Sequence, residues 1–233
     1  MTDIFHIAMV AMQDANFRMN AVSQNAASAS LPGYRRHVVA GNSFAQVLNN
    51  ARLADSQEVD VHAGALMTTN RPLDVAMESD DLYFGLTDGE QTWLTRSGAF
   101  RLNEEGVLVG ERGLRVVGTS GDIRLPGSDV TVEDDGRITQ QGIVLGTLQT
   151  FRPADRAALR AAQGSLLTAA SGEEPTVAGV GRVRGGALEA SNTDVTNEMI
   201  GLMTIARQFE SLSRVVQGYD GVLGRAIEKL GEV

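Results

Sequence analysis

The sequence contains no cysteine, which excludes disulfide frameworks, zinc-thiolate sites and cysteine nucleophiles. It is also poor in positive charge, with 20 basic residues against 29 acidic ones, a formal net charge of -9 and Lys229 as its only lysine. Binding to nucleic acid or to an anionic membrane surface requires clustered positive charge, and the sequence shows no basic patch. We therefore expect neither of these as a partner.

Long apolar runs are missing as well. No stretch of about eighteen apolar residues occurs, so the sequence predicts no direct membrane insertion. The first residues, Met1 to His6, lack a basic segment followed by a long apolar stretch. The chain therefore does not have the pattern of a protein exported with a cleavable signal peptide.

Each end of the chain carries an apolar stripe with alternating three- and four-residue steps, the spacing of a coiled coil. We predict that the two stripes form an assembly interface through Phe5, Met12, Met19, Val22, Leu202, Ile205, Phe209, Leu212, Val216, Tyr219 and Leu223. The alternative is that the two helices pair only with each other inside one subunit. Glycines in the C-terminal stripe would each cost about 1 kcal/mol in a helix. We therefore expect both ends to order on assembly.

Local signals predict where these helices begin and end. Proline and glycine in Leu31-Pro32-Gly33-Tyr34 should end the first helix near Ser30. A serine at 191 followed by an acid at Asp194 has the form of a capping box and should open the second helix. Between them, Phe44 to Leu53 is predicted as a short helix within a connector.

The middle of the chain consists of short strand-like runs separated by turn-forming residues, as is typical of β-structure. Residues 60–190 hold 19 of the 26 glycines and four of the five prolines, between short runs rich in Val, Ile, Leu and Thr. Asp-Gly turns at 87–90 and 134–137 predict two hairpins. Pro153 to Ser171 is alanine-rich and is expected to contain a helical turn. The predicted strands are Leu73–Met77, Leu82–Leu86, Thr92–Arg96, Val107–Val109, Arg115–Val117, Val130–Glu133, Arg137–Thr139 and Ile143–Phe151.

These patterns predict an α+β protein, in which N- and C-terminal coiled-coil-type helices pack together and a central, mainly antiparallel all-β domain lies between them in the sequence. The predicted domains are 1–34 for the N-terminal helix, 35–60 for the connector, 61–188 for the β domain and 189–233 for the C-terminal helix.

No combination of residues indicates catalysis. His6, His37 and His62 lack partners at a metal-ligand spacing, so no metal site and no cofactor are predicted. The acidic pairs Asp80-Asp81 and Asp134-Asp135 are best interpreted as turn residues, because they lack the alternating oxygen pattern of a calcium loop. The sequence therefore predicts no enzyme.

Three sets of motifs, in this order, carry a family resemblance. The first joins Asn25 and Ala26 to Leu31-Pro32-Gly33-Tyr34-Arg35-Arg36, and the second is Thr95-Arg96-Ser97-Gly98-Ala99-Phe100-Arg101-Leu102-Asn103. The third runs from Gly186-Ala187-Leu188-Glu189-Ala190-Ser191-Asn192 to Glu198-Met199 and Arg207-Gln208-Phe209-Glu210. Over nearly the whole chain they resemble the rod and hook proteins of the bacterial flagellar basal body. Leu31 departs from the family's usual threonine.

The resemblance implies a structural subunit of the flagellar rod that polymerises helically and transmits torque from motor to hook. The length of the chain and the absence of a long insertion favour a rod subunit over a hook subunit. The resemblance is to a proximal rod protein first and to a distal rod protein second. Its implied partners are other rod subunits, copies of itself, the hook and ring proteins, and the flagellar type III export apparatus. Its implied location is the periplasmic rod.

Two other functions stay open from the residues alone. A secreted β-rich wall hydrolase would use the acidic turn residues around Asp80 and Asp134, and would need two convergent carboxylates. A trimeric adhesin-like binding module would use the helical ends only to trimerise.

Overall fold

The computed structural model of the chain describes residues 2–39, 57–169, 175–179 and 181–231. A helix lies at each end of the described chain, α1 (Thr2–Ser28) and α2 (Val195–Gly231), and antiparallel strands fill most of the sequence between them. The predicted α+β class is confirmed. The predicted helix at Phe44–Leu53 lies outside the described residues. Neither α1 nor α2 has an apolar stretch sufficient to cross a bilayer.

Nineteen short strands lie within the described ranges. Those in the first half are β1 (His37–Val39), β2 (Gln57–Val59), β3 (Leu66–Thr68), β4 (Val75–Met77), β5 (Tyr83–Thr87), β6 (Thr92–Thr95), β7 (Arg101–Leu102), β8 (Leu108–Val109), β9 (Arg115–Gly118) and β10 (Gly121–Asp122). Those in the second half are β11 (Thr131–Val132), β12 (Arg137–Gln140), β13 (Ile143–Thr147), β14 (Thr150–Arg152), β15 (Leu159–Ala161), β16 (Leu166–Ala169), β17 (Thr176–Gly179), β18 (Val183–Gly185) and β19 (Ala187–Glu189).

The chain divides into two compact units. The first is helical, with residues up to Ala26 of α1 and residues from Asp194 onward, and the second holds residues 27–38 and 58–193. In the second unit the largest sheet runs β1-β2-β15-β16-β6-β5-β9-β8-β7, with β10 beside β9 and with β14 pairing both β5 and β17. Smaller sheets are β11-β12-β13, β18-β4 and β19-β3.

The large sheet is buried on both faces at its centre. Successive residues of a strand point to opposite faces, and in β5 Phe84 belongs to one hydrophobic cluster while its neighbour Tyr83 belongs to another. Leu166 and Leu167 of β16 divide between the same two clusters. The continuous apolar runs of β5 and β16 follow from this, because a strand covered on both faces has no polar side.

Both hairpins predicted from Asp-Gly turns are confirmed. Thr87 pairs with Thr92 across the β5–β6 turn, and Val132 pairs with Ile138 across the β11–β12 turn. Within 153–171, the predicted turn is limited to the residues before β15, where the N–H groups of Ala158 and Leu159 donate to the carbonyls of Asp155 and Arg156. Beyond it β15 and β16 form an antiparallel hairpin, with Leu159 opposite Ala169. Burial of Leu159, Leu166 and Leu167 in the sheet outweighs the weak helix preference of the alanines.

The helix boundaries agree with the prediction at α1 and differ at α2. The first helix ends at Ser28, and the predicted turn follows it, with Gly33 at φ +68. The second begins at Val195, and its cap is Asp194, whose Oδ1 accepts the backbone N–H of Thr196 at 2.9 Å. The capping box predicted from Ser191 is therefore wrong, since the Ser191 hydroxyl accepts the N–H of Thr193 instead.

Candidate assembly interface

The predicted interface positions lie on the two helices of the first unit. Phe5 is exposed, Ile205 is buried, and the side chain of Leu223 lies outside the described residues. The other predicted positions are half-buried, namely Met12, Met19, Val22, Leu202, Phe209, Leu212, Val216 and Tyr219. The smaller stripe residues Ala8 and Ala15 are buried. The stripes thus carry the more protected side chains of each helix.

Polar contacts show that α1 and α2 meet within one chain. Arg18 donates to Gln208 through Nη2 at 3.2 Å, and Asn25 donates to Glu198 through Nδ2 at 3.4 Å. From Arg18 to Asn25 along α1, the partner residue moves back along α2 from Gln208 to Glu198. The two helices therefore run antiparallel. Asn25 and Glu198 are fully buried, and a buried polar pair of this kind favours one register over its neighbours.

A second apolar surface of α2 was not among the predicted interface positions. Its side chains are more than half exposed, and they are Met199, Ile200, Met203, Val215 and Val222. At 3.6 residues per turn, Ile200 and Met203 lie roughly 140° and 160° around the helix from the buried Ile205. We call Met199, Ile200 and Met203 the outer face of α2, whereas Val215 and Val222 lie only about 80° and 100° around the helix from Ile205, on its flank. In the sequence, Met199 and Met203 are apolar residues that stand beside the predicted stripe and not in it. These flanking positions were the sequence signal for the outer face.

The second unit contains a buried charge cluster built from all three family motifs. Glu189 of β19 lies 2.6 Å from Arg35 and 2.6 Å from Arg96, measured between carboxylate oxygen and guanidinium nitrogen. All three side chains are 98–99% buried. Arg35 follows the turn after α1, Arg96 directly follows β6, and Glu189 precedes α2 in sequence. We call these three residues the Glu189 cluster.

Backbone groups complete the environment of the cluster. The N–H of Gly64 donates to Glu189 Oε1 at 2.9 Å, and Arg96 donates through Nη1 to the carbonyls of Ser79 and Leu82 at 2.6 and 2.5 Å. The N–H of Gly33 donates to the Glu189 carbonyl at 2.8 Å. A side chain at 33 would collide with the backbone of Ser97, and its positive φ also favours glycine.

Charge in the cluster is not balanced within the three residues, because two guanidinium groups share one carboxylate. Burial lowers the pKa of the Arg96 guanidinium, the Glu189 carboxylate opposes this shift, and Arg35 adds to it. Arginine nevertheless stays protonated in proteins. The Tyr83 ring lies 5.6 Å from the Arg96 guanidinium carbon and adds a cation–π contact. Removing the carboxylate would leave two buried cations facing each other.

Asn192 ties the same chain segments together by neutral hydrogen bonds. Its Oδ1 accepts the N–H of Arg36 at 2.8 Å, and its Nδ2 donates to the carbonyls of Asp60 and His62 at 3.0 Å each. The segment after α1, the segment at 60–62 and the segment before α2 are therefore fastened to one another inside the second unit. The family motifs in the sequence include Arg35, Arg96, Glu189 and Asn192. The sequence alone did not indicate that these residues hold the segments next to the two helices together.

The acidic turns that a hydrolase would use are engaged with arginines. Asp81 pairs with Arg152 at 2.7 Å, and Asp135 pairs with Arg137 at 2.7 Å. Asp80 and Asp134 are exposed. Over the described part of the chain, no three His, Asp or Glu side chains are grouped as a metal site.

Comparisons with known proteins point to one family. A family model described as "Flagellar basal body rod FlgEFG protein C-terminal" matches residues 184–229, which include Glu189, Asn192 and most of α2. The flagellar basal-body rod protein FlgF of Rhizobium meliloti is 30% identical over 97% of this chain and 97% of its own length. FlgF of Escherichia coli is 29% identical, over 97% of this chain and 98% of its own length.

A relative named FlgG matches less of the chain. The flagellar basal-body rod protein FlgG of Borreliella burgdorferi is 31% identical over 78% of this chain and 73% of its own length. None of these relatives supports the hydrolase or the adhesin hypothesis. With 30% identity over nearly the full length of both chains, and with the family motifs meeting in the Glu189 cluster, the chain belongs to the family of flagellar basal-body rod proteins.

Proposed function

We propose that this chain is an FlgF-like structural subunit that polymerises helically in the rod and transmits torque from motor to hook. It acts by packing, and it is not an enzyme. Its partners are other rod subunits and copies of itself, with the hook and ring proteins as further neighbours. It reaches the periplasmic part of the basal body through the flagellar export apparatus.

The observation that carries this proposal is the outer face of α2. Pairing with α1 protects the stripe around Ile205, yet Met199, Ile200 and Met203 stay 52–61% exposed. Fully burying one such side chain contributes about 1.5 to 3 kcal/mol. A contiguous exposed apolar surface of this kind is typical of a protein interface. We therefore assign the outer face to helices of neighbouring subunits, and the predicted stripe to pairing within and between subunits.

Torque transmission also requires that force pass between the β-structure and the segments that lead into both helices. The Glu189 cluster and Asn192 fasten those segments to β6 and to residues 60–64 in the second unit. Buried charge pairs that also hydrogen-bond to backbone N–H and C=O groups resist displacement, because separating them leaves uncompensated charge in a low-dielectric interior. This supports a role in which the subunit is mechanically loaded.

The test is to replace Met203 with aspartate in the bacterium and to measure swimming and recovery of the subunit in isolated basal bodies. A charge on the outer face should abolish incorporation and motility, because burying an unpaired carboxylate is unfavourable. Met67→Asp is the matched control, since Met67 lies in β3 of the second unit and is similarly exposed. Normal incorporation of the Met203→Asp subunit would contradict the proposed function.

A further inference from the structure

We infer that the Glu189 cluster binds a small monovalent anion, such as chloride, beside Arg35. The site lies wholly within the second unit, because Arg35, Arg96 and Glu189 all belong to that unit. The anion stabilises the second unit whether or not the subunit polymerises, so the site is independent of the proposed function.

Every nitrogen of the Arg96 guanidinium has an acceptor. Its Nε and Nη2 lie 2.7 and 2.6 Å from Glu189 Oε2, and its Nη1 donates to the carbonyls of Ser79 and Leu82 at 2.6 and 2.5 Å. Both carboxylate oxygens of Glu189 are engaged too, since Oε1 accepts the N–H of Gly64 and faces Arg35. These two side chains therefore need no further partner.

Arg35 differs from Arg96 in this respect. Its Nη2 lies 2.6 Å from Glu189 Oε1. Its Nε and Nη1 are buried and have no hydrogen-bond acceptor among the described residues. A guanidinium group carries five N–H donors, and a buried donor without an acceptor is unfavourable. The Nε and Nη1 donors of Arg35 are therefore available to a ligand that accepts hydrogen bonds.

The charge of the cluster favours an anion over a water molecule as that ligand. Two guanidinium cations face one carboxylate, and all three residues are 98–99% buried. Because arginine stays protonated in proteins, the cluster keeps one excess positive charge. A buried charge without a counter-charge is strongly unfavourable. Water would accept the N–H groups and leave the excess charge in place, whereas an anion removes both costs.

The described carboxylates of the second unit do not supply a second counter-charge at Arg35. The other buried one is Asp74, which lies 4.0 Å from Arg71 and forms no ion pair with Arg35. Glu189 thus remains the only carboxylate paired with Arg35 in the described part of the chain. The missing negative charge has to come from a bound ion.

Burial and charge together define the kind of anion. A ligand at Arg35 must lose its hydration shell, which costs far more for a divalent ion than for a monovalent one. One excess positive charge is also balanced by a single negative charge. Chloride is small, carries one charge and accepts several hydrogen bonds at once. Bromide shares these properties and can be located by its anomalous X-ray scattering.

Unfolding in urea tests the site in solution. The full-length chain is unfolded at several concentrations of sodium chloride, with sodium gluconate added to keep the ionic strength constant, and the fluorescence of Trp93 reports the transition of the second unit. An anion bound only by the folded state lowers the unfolding constant about tenfold for each tenfold rise in its concentration above the dissociation constant. We expect this dependence with chloride and with bromide.

Two variants of equal charge show where the anion binds. Arg35→Met leaves one arginine opposite one carboxylate, so the dependence on chloride should disappear. Arg152→Met is the matched control, because Arg152 belongs to the same unit but is 58% exposed and pairs with Asp81 at 2.7 Å. The control should keep the chloride dependence of the unchanged protein.

Crystals of the unchanged full-length chain grown in bromide give evidence that requires no variant to fold. We expect an anomalous peak in contact with Nε or Nη1 of Arg35. Three results would overturn the inference. They are equal unfolding constants in chloride and gluconate, a chloride dependence that Arg35→Met retains, and crystals in which water occupies the position beside Arg35.

Discussion

Glu189 is the residue that most strongly connects distant parts of the second unit. It is 99% buried and faces two arginines, so Glu189→Gln would keep the shape of the side chain and remove the only carboxylate of the cluster. Breaking a buried ion pair by neutralising one partner costs about 3 to 5 kcal/mol. We expect a loss of this size in the free energy of unfolding, measured with urea and followed by fluorescence of Trp93, the only tryptophan.

Glu133→Gln provides the matched control for that measurement. Its carboxylate lies 3.1 Å from Arg137, but the two side chains are 41% and 50% exposed. Exposed pairs contribute about 0 to 1 kcal/mol. Similar losses for Glu189→Gln and Glu133→Gln would show that the buried cluster does not stabilise the second unit.

The cluster could not be predicted from the sequence, although each of its members stands in a quoted motif. Arg35, Arg96 and Glu189 are far apart in the chain, and their contact follows from strand pairings such as β19 with β3 that have no local signal. The sequence offered one indication of the cluster, namely that its charged residues stand in motifs that also contain glycine and apolar residues. A buried role for them becomes visible only once the sheet places them together.

At the scale of elements, Asp194 determines where α2 begins. Its Oδ1 accepts the N–H groups of Thr196 and Asn197, at 2.9 and 3.3 Å, and a negative charge is favourable at a helix N-terminus. Asp194→Ala should destabilise the helix by about 1 kcal/mol. Circular dichroism of the full chain should show a loss of helical signal at a lower temperature than in the unchanged protein.

Ser191→Ala separates the observed cap from the predicted one. The Ser191 hydroxyl bonds the N–H of Thr193, which precedes the helix, so its loss should leave the helical signal nearly unchanged. An effect of Ser191→Ala equal to that of Asp194→Ala would restore the capping box as the start of α2.

Elements with strong local signals were predictable, and those that depend on distant partners were not. The β5–β6 and β11–β12 hairpins follow from short runs of strand-forming residues on either side of Asp-Gly turns. In contrast, β3 and β19 have three residues each and exist only because they pair with each other from positions 66–68 and 187–189. Strands of three residues are too short to show a periodic pattern of apolar residues. Whether such residues form a strand depends on the strand that pairs with them.

At the scale of the whole molecule, the outer face of α2 makes helix stability depend on neighbours. Gly201, Gly218 and Gly221 each weaken the helix by about 1 kcal/mol relative to alanine, and the outer face stays more than half exposed in a lone chain. We expect trypsin to cut α2 after Arg207 and Arg214 rapidly in dilute monomer and slowly in assembled rods. Mass spectrometry of the fragments over time measures the difference.

Cleavage after Arg182 serves as the internal reference, because its side chain lies in the second unit and is 77% exposed. If α2 were as resistant in dilute monomer as in the rod, the expectation that the terminal helices order on assembly would be wrong. The predicted coiled-coil packing and the predicted domain boundaries stay predictions that the same fragments can address.

The Glu189 cluster also has a consequence for how the molecule travels. Its three residues stand at positions 35, 96 and 189 of the sequence. When an unfolded chain passes through a narrow conduit, both ion pairs can form only after nearly the whole segment between residues 35 and 189 has emerged, whichever terminus leads. Under the proposed export through the flagellar apparatus, the cluster would therefore be complete only after the chain from residue 35 to residue 189 has emerged.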